Sequence, residues 1–350
     1  MRPGGVIASR FELDRLAGTG GMGVVYRARD RKTDKIVALK LVKRPDLEMR
    51  ERFARECEVL ATLNHAGIVA YVDHGDADAG TRYLAMEWLE GEALGDRLAR
   101  GRLSIREGVR LAHRVAGALG AAHRRGIVHR DIKPNNIFLV DGSVDNAKIL
   151  DFGLACFNET GPAITVVGTA LGTPGYMSPQ QAQGDSELDP RTDVYSLGCV
   201  VYEALTGKRA FVGQNALALL TKILLSEAPR IRDHRREVPS RLDQLVWTML
   251  SKDPAERPAD GAAVESVVAP LVMGSDLPPE VAAAPTLSNA EQRFLCVVLL
   301  RPPRHPPQEG DATTDDRFAT ETIIAPLPIS GAAQRRVRSM VEDLGGHLET

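Results

Sequence analysis

The sequence has 350 residues, of which 43% are hydrophobic and 26% charged, and a formal net charge of −2. These values are typical of a soluble globular protein with one large or two ordinary domains, and they give no reason to expect nucleic acid as a partner. The four cysteines form no C-x-x-C pair and no apolar run can span a bilayer, so we expect a cytoplasmic chain without a zinc site, a disulfide framework or a membrane segment.

The pattern of apolar residues predicts two structurally different parts. Residues 11 to about 90 contain the short, strand-like runs VVYRA, KIVALKLV and RYLAMEWL, and one predicted helix at roughly 46–63. From about residue 104 the spacing becomes helical, in segments 104–125, 191–206, 214–226 and 239–250. A small β-rich part followed by a larger helical part is an α+β, two-lobed layout, with a ligand cleft expected between the lobes.

A glycine-rich segment, LAGTGGMGVVYRARD, holds Gly18, Gly20 and Gly23 in G-x-G-x-x-G spacing. Glycine lets the backbone approach phosphate oxygens and direct its N–H groups at them. A dinucleotide-binding turn of the same spacing should lead into a helix, with an acidic residue about twenty positions later. Here the glycines lead into an alternating strand, and positions 38–43 hold no carboxylate. The segment therefore favours a β-turn-β flap that covers a nucleotide.

Lys40 lies in the predicted strand KIVALKLV, on the same face as Ala38. A flat base can lie close to the small Ala38, so that Lys40 points toward phosphates; the alternative is a strand-end lysine in water. Glu56 lies on the apolar stripe of the following helix, where a carboxylate needs a cation. We therefore expect a Lys40–Glu56 pair, unless Glu56 reaches water from the edge of the stripe.

The segment VHRDIKPNNIF, residues 128–138, sets charged and amide side chains between apolar residues. It is either a polar surface loop or a reaction site, and KILDFGLA supplies Asp151 twenty residues after Asp131. Phosphoryl transfer needs metal, cations on the developing charge and a carboxylate that orients the attacking hydroxyl. Asp131 and Lys133 offer the carboxylate and the cation, while Asn136 and Asp151 offer the hard oxygen ligands that Mg²⁺ prefers.

In order and spacing these motifs, together with GTPGYMSPQQ, resemble the signature set of eukaryotic-type (Hanks-type) serine/threonine protein kinases, most closely the bacterial branch. The resemblance covers residues 11–272. It implies a bilobal protein kinase fold, with an N-lobe at about 11–90 and a C-lobe at about 91–272. It also implies ATP and Mg²⁺ in the cleft, and protein substrates with Ser or Thr acceptors.

The resemblance implies a role for each matching residue. Asp131 would be the catalytic base and Lys133 would steady the γ-phosphate, while Lys40, held by Glu56, would hold the α- and β-phosphates. Asn136 and Asp151 would bind Mg²⁺. The flap residues Gly18, Thr19, Gly20, Gly21 and Gly23 would cover the phosphates. Ala17, Val25 and Ala38 would lie beside the adenine, with Phe138 beneath it. Met86 would gate the back of the adenine pocket, and Glu87 and Leu89 would belong to the hinge.

Regulation by phosphorylation is expected at the segment after Asp-Phe-Gly. Arg130 could pair there with a phosphothreonine and order the segment. Thr165 and Thr169 are the expected acceptors, with Thr173 lining the acceptor groove, unless these residues only form the loop. The resemblance also allows a homodimer in which one copy phosphorylates the other.

The sequence departs from the family pattern in two places. Ser178-Pro179-Gln180 stands where Ala-Pro-Glu is usual, so Arg257 would meet the amide of Gln180 and not a carboxylate. Ala17 replaces a larger aliphatic residue before the flap, which predicts a looser lid over the base. By the same resemblance Asp193 is expected to brace the backbone of the loop that carries Asp131.

Two other functions compete with protein phosphorylation. A pseudokinase, a binding or scaffold module without catalysis, normally breaks the set of polar residues described above, and here the set is intact. A small-molecule kinase is disfavoured by the long segment ending in GTPGYMSP, which builds a peptide groove. Residues 273–350 are proline-rich and read as a linker with the faint, truncated start of a cyclase-like domain, without cyclase activity.

Overall fold

The computed structural model describes residues 4–20, 23–42, 57–58, 60–77, 81–152 and 174–274. The chain divides into two units, Met1–Val281 and Ala282–Thr350. The second unit, and with it nearly all of the predicted proline-rich extension, lies outside the described residues. Within the described part of the first unit, the predicted α+β layout with a β-rich N-lobe and a helical C-lobe is confirmed.

An antiparallel sheet builds the N-lobe, with strand order β1-β2-β3-β4-β6-β5 in the described residues. Its strands are β1 Val6–Ile7, β2 Phe11–Gly20, β3 Gly23–Asp30, β4 Ile36–Val42, β5 Tyr71–Asp76 and β6 Arg82–Glu87. Along β4 the alternation buries Val37, Leu39 and Leu41 in the N-lobe core. Ala38 and Lys40 therefore lie on the opposite face, as the strand period predicts.

An ion pair between Arg10 and the buried Asp30 lies at the edge of this core. Arg10 donates from Nε and Nη2 to the two carboxylate oxygens of Asp30, each at 2.7 Å. Asp30 is fully buried and also accepts from the backbone of Lys32 at 3.0 Å and from Thr33 Oγ1 at 2.8 Å. The bidentate contact with Arg10 holds the pKa of Asp30 well below its usual range. The β3–β4 turn is thus tied to the start of β2.

Helices and a small sheet build the C-lobe. The helices are α1 Leu94–Ala99, α2 Ile105–His123, α3 Pro179–Gln183, α4 Pro190–Thr206, α5 Ala216–Leu225, α6 Ile231–His234, α7 Ser240–Met249 and α8 Gly261–Met273. Short 3₁₀ turns lie at Pro134–Asn136, Val144–Asn146, Pro174–Tyr176 and Pro254–Glu256. The small sheet pairs β7 Gly91–Ala93, β8 Ile137–Val140 and β9 Ala147–Ile149 in that order.

The four long helices predicted in the C-lobe are confirmed as α2, α4, α5 and α7, with ends that differ by at most two residues. Helix α2 begins at a capping box: Ser104 Oγ accepts from the Glu107 backbone, and the Glu107 carboxylate accepts from the Ser104 backbone. Of the predicted helix 46–63, the described residues 57, 58, 60 and 61 are helical. Among the described residues, no helix is long and apolar enough to cross a membrane.

Helix α8 was not predicted as a helix. It packs closely on α2, where a Cβ on Gly261 would lie 2.4 Å from the backbone nitrogen of Gly120. A Cβ on Gly120 would in turn lie 2.8 Å from the backbone nitrogen of Ala262. Both glycines are therefore needed for the close approach of the two helices, which places the start of α8 against the end of α2.

Candidate active site

The loop between α2 and β8 carries three of the predicted side chains in one hydrogen-bonded group. Lys133 Nζ donates to both carboxylate oxygens of Asp131, at 3.0 and 2.7 Å. Asn136 Nδ2 donates to the backbone oxygen of Asp131 at 2.7 Å and to its carboxylate at 2.9 Å. Asp131 is thereby fixed by a cation and an amide while its side chain stays 34% exposed. It can accept a proton from a group that enters from solvent.

Asp193, in the first turn of α4, holds the backbone of this loop in place. Its buried carboxylate accepts from the backbone of His129 at 2.7 Å and of Arg130 at 2.8 Å. His123 Nε2 lies 2.9 Å from the same carboxylate, while His123 Nδ1 accepts from the backbone of Gly261 at 3.1 Å. The bonds therefore assign the His123 proton to Nε2. The predicted bracing role of Asp193 is confirmed.

His129 links the loop to the strand end that carries Asp151. Its Nε2 lies 2.8 Å from the backbone oxygen of Leu150, and its ring meets the ring of Phe152 edge-on, with centroids 4.6 Å apart. The backbone nitrogen of Leu150 donates to the backbone oxygen of Asn136 at 2.8 Å. This bond, together with the pairing of Ile137 with Ile149, places Asn136 next to the end of β9, which Asp151 follows. Sequence reasoning gave no role to His129.

Lys40 reaches from the N-lobe to Asp151. Lys40 Nζ lies 2.8 Å from Asp151 Oδ1, with the lysine side chain 7% exposed and the carboxylate 33% exposed. Asp151 has a φ of 54°, a left-handed conformation that is uncommon for residues other than glycine. Glu56 lies outside the described residues, so the Lys40–Glu56 pair stays a prediction. The Lys40–Asp151 contact was not predicted.

Strand register places the flap beside Lys40. Gly18 pairs with Val25 across β2 and β3, and Val25 pairs with Lys40 across β3 and β4. These three residues form one row across the sheet. Gly23 has a different reason to be glycine, since a Cβ there would lie 2.1 Å from the backbone oxygen of Leu41. Its small size permits the close pairing of β3 with β4.

Three of the remaining flap residues, Ala17, Thr19 and Gly20, lie in the last part of β2. Ala17 falls at the register shift between Leu16 and Gly18, and Ala17 and Thr19 are both exposed. Gly20, the last residue of β2, pairs with Gly23, while Gly21 lies outside the described residues. The predicted β-turn-β arrangement is confirmed in its two strands.

A second row of the sheet leads to the segment that joins the lobes. Ala38 pairs with Met86 across β4 and β6, and Met86 is buried. Glu87 follows, and its carboxylate accepts from the backbone of Ala70 at 2.7 Å and forms a short ion pair with Lys148 of β9. The segment after Met86 is therefore attached to both lobes through one side chain. Sequence reasoning did not identify Lys148.

The small sheet carries Phe138, the residue expected beneath the base. Phe138 lies in β8, opposite Ala93 on one side and Lys148 on the other, and is half-buried, as is Leu89. A narrow pocket also opens beside Met86 and Asp151. It is lined by Leu60, Val69, Tyr71, Leu84, Met86, Asp151 and Phe152.

The predicted regulatory threonines Thr165 and Thr169 lie outside the described residues, as does Thr173, the residue expected to line the acceptor groove. Arg130 is described and half-buried, with a φ of 67°. Its backbone oxygen accepts from Gln181 Nε2 at 2.7 Å. Helix α3, which follows the undescribed segment, is thus bonded directly to the loop that carries Asp131.

The departure at Gln180 has the expected consequence. Arg257 Nη2 donates to Gln180 Oε1 at 2.9 Å. The other Arg257 bonds go to backbone oxygens of Ser251, Lys252 and Arg191. Burial lowers the pKa of Arg257 to about 10. The buried guanidinium of Arg257 thus donates to neutral acceptors in these bonds. The predicted hydrogen bond between Arg257 and Gln180, without a charge pair, is confirmed.

Replacing Gln180 by Glu should stabilise the fold, since a carboxylate would give Arg257 a charge-assisted partner in a site with little water. We expect a gain of about 1–2 kcal/mol, which raises Tm by roughly 2–8 °C in a domain of this size. Thermal unfolding of the variant measures the effect. Gln183→Glu is the matched control, because Gln183 is exposed on the same helix and should leave Tm unchanged. Equal Tm values for the two variants would show that a carboxylate at position 180 does not strengthen the bond to Arg257.

The residues present fit a bound Mg²⁺. The amide nitrogen of Asn136 donates twice to Asp131, so that the amide oxygen Oδ1 is the atom that could coordinate a metal ion. Asp151, two residues after Ile149, the partner of Ile137 next to Asn136, supplies a partly exposed carboxylate. Mg²⁺ takes one or two such hard oxygens and completes its shell with water and phosphate oxygens.

Comparisons with known proteins agree with this geometry. A family model described as "Protein kinase domain" matches residues 11–269. "Serine/threonine-protein kinase pkn3" of Myxococcus xanthus is 39% identical over 276 residues, 75% of this chain and 50% of the relative. "Serine/threonine-protein kinase PknA" of Mycobacterium tuberculosis is 38% identical over 298 residues, 81% of this chain and 68% of the relative. The chain thus spans half the length of the first relative and about two thirds of the second.

A solved structure shows the same fold. It is the crystal structure of Rad53 1–466 in complex with AMP-PNP, with a TM-score of 0.62 and 26% sequence identity. The match covers 75% of this chain and 65% of that chain.

Proposed function

Because the chain belongs to the protein kinase family, in its Hanks-type serine/threonine branch, we propose that it transfers the γ-phosphate of ATP to Ser or Thr hydroxyls of proteins. The observation that carries the proposal is the convergence of side chains from both lobes. Asp131, held by Lys133 and Asn136, lies on the loop bonded to the Asp151 strand, and Lys40 reaches Asp151 from the N-lobe.

In this reaction Asp131 accepts the proton of the acceptor hydroxyl. The hydroxyl oxygen forms a bond to the γ-phosphorus while the bond between that phosphorus and the β,γ-bridging oxygen breaks, which releases ADP. Lys133, within 3.0 Å of both Asp131 oxygens, is placed to offset negative charge on the γ-phosphate. Lys40 would bind the α- and β-phosphates.

Asn136 and Asp151 would hold Mg²⁺, which, when bound, neutralises charge on the β- and γ-phosphate oxygens. In that state Lys40 would exchange its contact with Asp151 for the phosphates. The base would lie between the β-sheet and Phe138, next to Ala38 and Met86, with Glu87–Leu89 as the hinge and residues 17–25 as the flap. The catalytic unit is proposed to span residues 11–272.

Control by phosphorylation is part of the proposal. Thr165 and Thr169 are the proposed acceptors, and Arg130 the cation that pairs with the phosphate. The position of Arg130 supports this role. Its backbone nitrogen donates to Asp193, and its backbone oxygen accepts from Gln181 of α3, the helix that follows the segment with the two threonines. Transfer between two copies of the chain is the proposed route.

The test is phosphate transfer by the purified chain. With radiolabelled ATP and Mg²⁺ we expect label on the chain and on an added protein substrate, and peptide mass spectrometry should place phosphate on Ser or Thr, including Thr165 or Thr169. EDTA should abolish transfer. Nucleotide binding without any transfer would identify a pseudokinase-type binding module instead. Phosphate on a small molecule but on no protein would reject the proposed substrate class.

A further inference from the structure

An aromatic residue of the hinge is contacted by two arginines of the flap strands. The guanidinium carbon of Arg15 lies 5.6 Å from the Trp88 ring centroid, and that of Arg27 lies 5.8 Å from it. Trp88 stands between Glu87 and Leu89, the residues that join the lobes. Both distances fall within the range in which a cation is attracted to the face of an indole ring.

The two arginines need such a partner because they face each other. Arg15 and Arg27 are directly paired across β2 and β3. Like charges in this arrangement destabilise a pair of strands. Arg27 also forms a short ion pair with Asp14, and the indole offers its negative face to both guanidinium groups. Trp88 Nε1 donates to the Glu90 carboxylate at 2.6 Å, which fixes the ring orientation.

The cluster lies next to the proposed adenine position. Arg27 is paired with Ala38, and Ala38 is paired with Met86, so that one row of the sheet runs from Arg15 to the residue before the hinge. Val25, two residues before Arg27 in the same strand, belongs to the neighbouring row with Lys40. Arg15 and Arg27 thus lie on the strands that carry the flap, at the end nearest the hinge.

We propose that Trp88, Arg15 and Arg27 form a clasp that holds the flap strands against the hinge and so positions the flap over the bound nucleotide. The inference rests on the proposed function, since it assigns a task within ATP binding. These are positioning residues, because in this role they touch neither the phosphates nor the acceptor. Loss of the clasp should therefore weaken ATP binding and leave the chemical step unchanged.

The first experiment separates KM from kcat. Trp88→Ala should raise the KM for ATP about fivefold, the loss expected for two partly exposed cation–π contacts, with kcat within a factor of two. Trp88→Phe, which keeps an aromatic face, should restore part of the affinity, and the double variant Arg15→Gln, Arg27→Gln should behave like Trp88→Ala. Trp247→Ala is the matched control, because Arg230 lies 5.0 Å from the Trp247 ring on the C-lobe and away from the cleft.

The second experiment measures the surroundings of Trp88 by fluorescence. Trp88 and Trp247 are the two tryptophans of the chain, so in a Trp247→Phe background the fluorescence comes from Trp88. Titration with AMP-PNP and Mg²⁺ should change that emission, and the change should shrink when Arg15 and Arg27 are both Gln.

Three outcomes would overturn the inference while leaving the proposed function intact, provided that the wild type transfers phosphate. They are an unchanged KM in Trp88→Ala, a fall in kcat of the same size as the rise in KM, and a Trp88→Phe variant as impaired as Trp88→Ala. A wild type that neither transfers phosphate nor binds AMP-PNP would reject the proposed function, and the clasp with it.

Discussion

Replacing Asp131 by Asn is expected to lower phosphate transfer by about 10²–10⁴-fold, the usual contribution of a positioned general base. Asn is close to Asp in shape but cannot take the proton of the acceptor hydroxyl. Asn is also a poor partner for Lys133, which donates to both carboxylate oxygens. Initial rates of label transfer from ATP to a protein substrate measure the effect.

The same variant should keep its fold and its affinity for nucleotide, since Lys40 and Asp151 are untouched. Asp141→Asn is the matched control: Asp141 is exposed in the β8–β9 turn at a φ of 53°, a conformation that Asn tolerates. Its rate should equal that of the wild type. An Asp131→Asn rate near the wild-type value would remove Asp131 from the proposed mechanism.

Replacing Asp193 by Ala should both destabilise the fold and stop transfer. The carboxylate is fully buried and bonded to the backbone of His129, the backbone of Arg130 and the ring of His123. Removal leaves buried donors without their acceptor, which we expect to cost about 3–5 kcal/mol and to lower Tm by roughly 6–20 °C. Thermal unfolding and transfer rates, measured below the lowered Tm, give the two effects separately.

Asp189→Ala provides the comparison, because Asp189 caps the same helix and is 49% exposed in its side chain. Loss of that cap should cost only about 1 kcal/mol and should not change kcat. If both variants lose equal stability and Asp193→Ala still transfers phosphate at the wild-type rate, Asp193 is only a helix-end residue and the loop has another support.

The elements predicted well are those whose periodicity is long and regular. Successive side chains of a strand point to opposite faces, so the face shared by Ala38 and Lys40 was predictable once β4 was predicted as a strand. Helices α2 and α4 run for 19 and 17 residues and so carry several turns of pattern. Helix α8 was missed because small residues and Pro270 interrupt its pattern. Its stability depends on close packing against Gly120, which a single sequence does not display.

Within the site, the polar residues themselves were predictable from motif order, but their partners were less so. The Lys40–Asp151 contact joins residues from different lobes, and it depends on the left-handed backbone at Asp151. The Glu87–Lys148 pair likewise spans distant parts of the chain. The Trp88 cluster depends on the register shift in β2 that sets Arg15 opposite Arg27. Tertiary geometry, and not local pattern, determines these contacts.

The most direct measurement is calorimetric titration of the purified chain with AMP-PNP, with Mg²⁺ and then with EDTA, in the wild type and in Asp151→Asn. If Asn136, Asp151 and Lys40 surround the terminal phosphates and their metal, the wild type should bind the nucleotide in Mg²⁺ and lose at least about tenfold in affinity in EDTA, a change of 1.4 kcal/mol. Asp151→Asn should bind weakly in both. Equal affinity in all four titrations would contradict the account, because the nucleotide would then be held without the metal and without the carboxylate assigned to it.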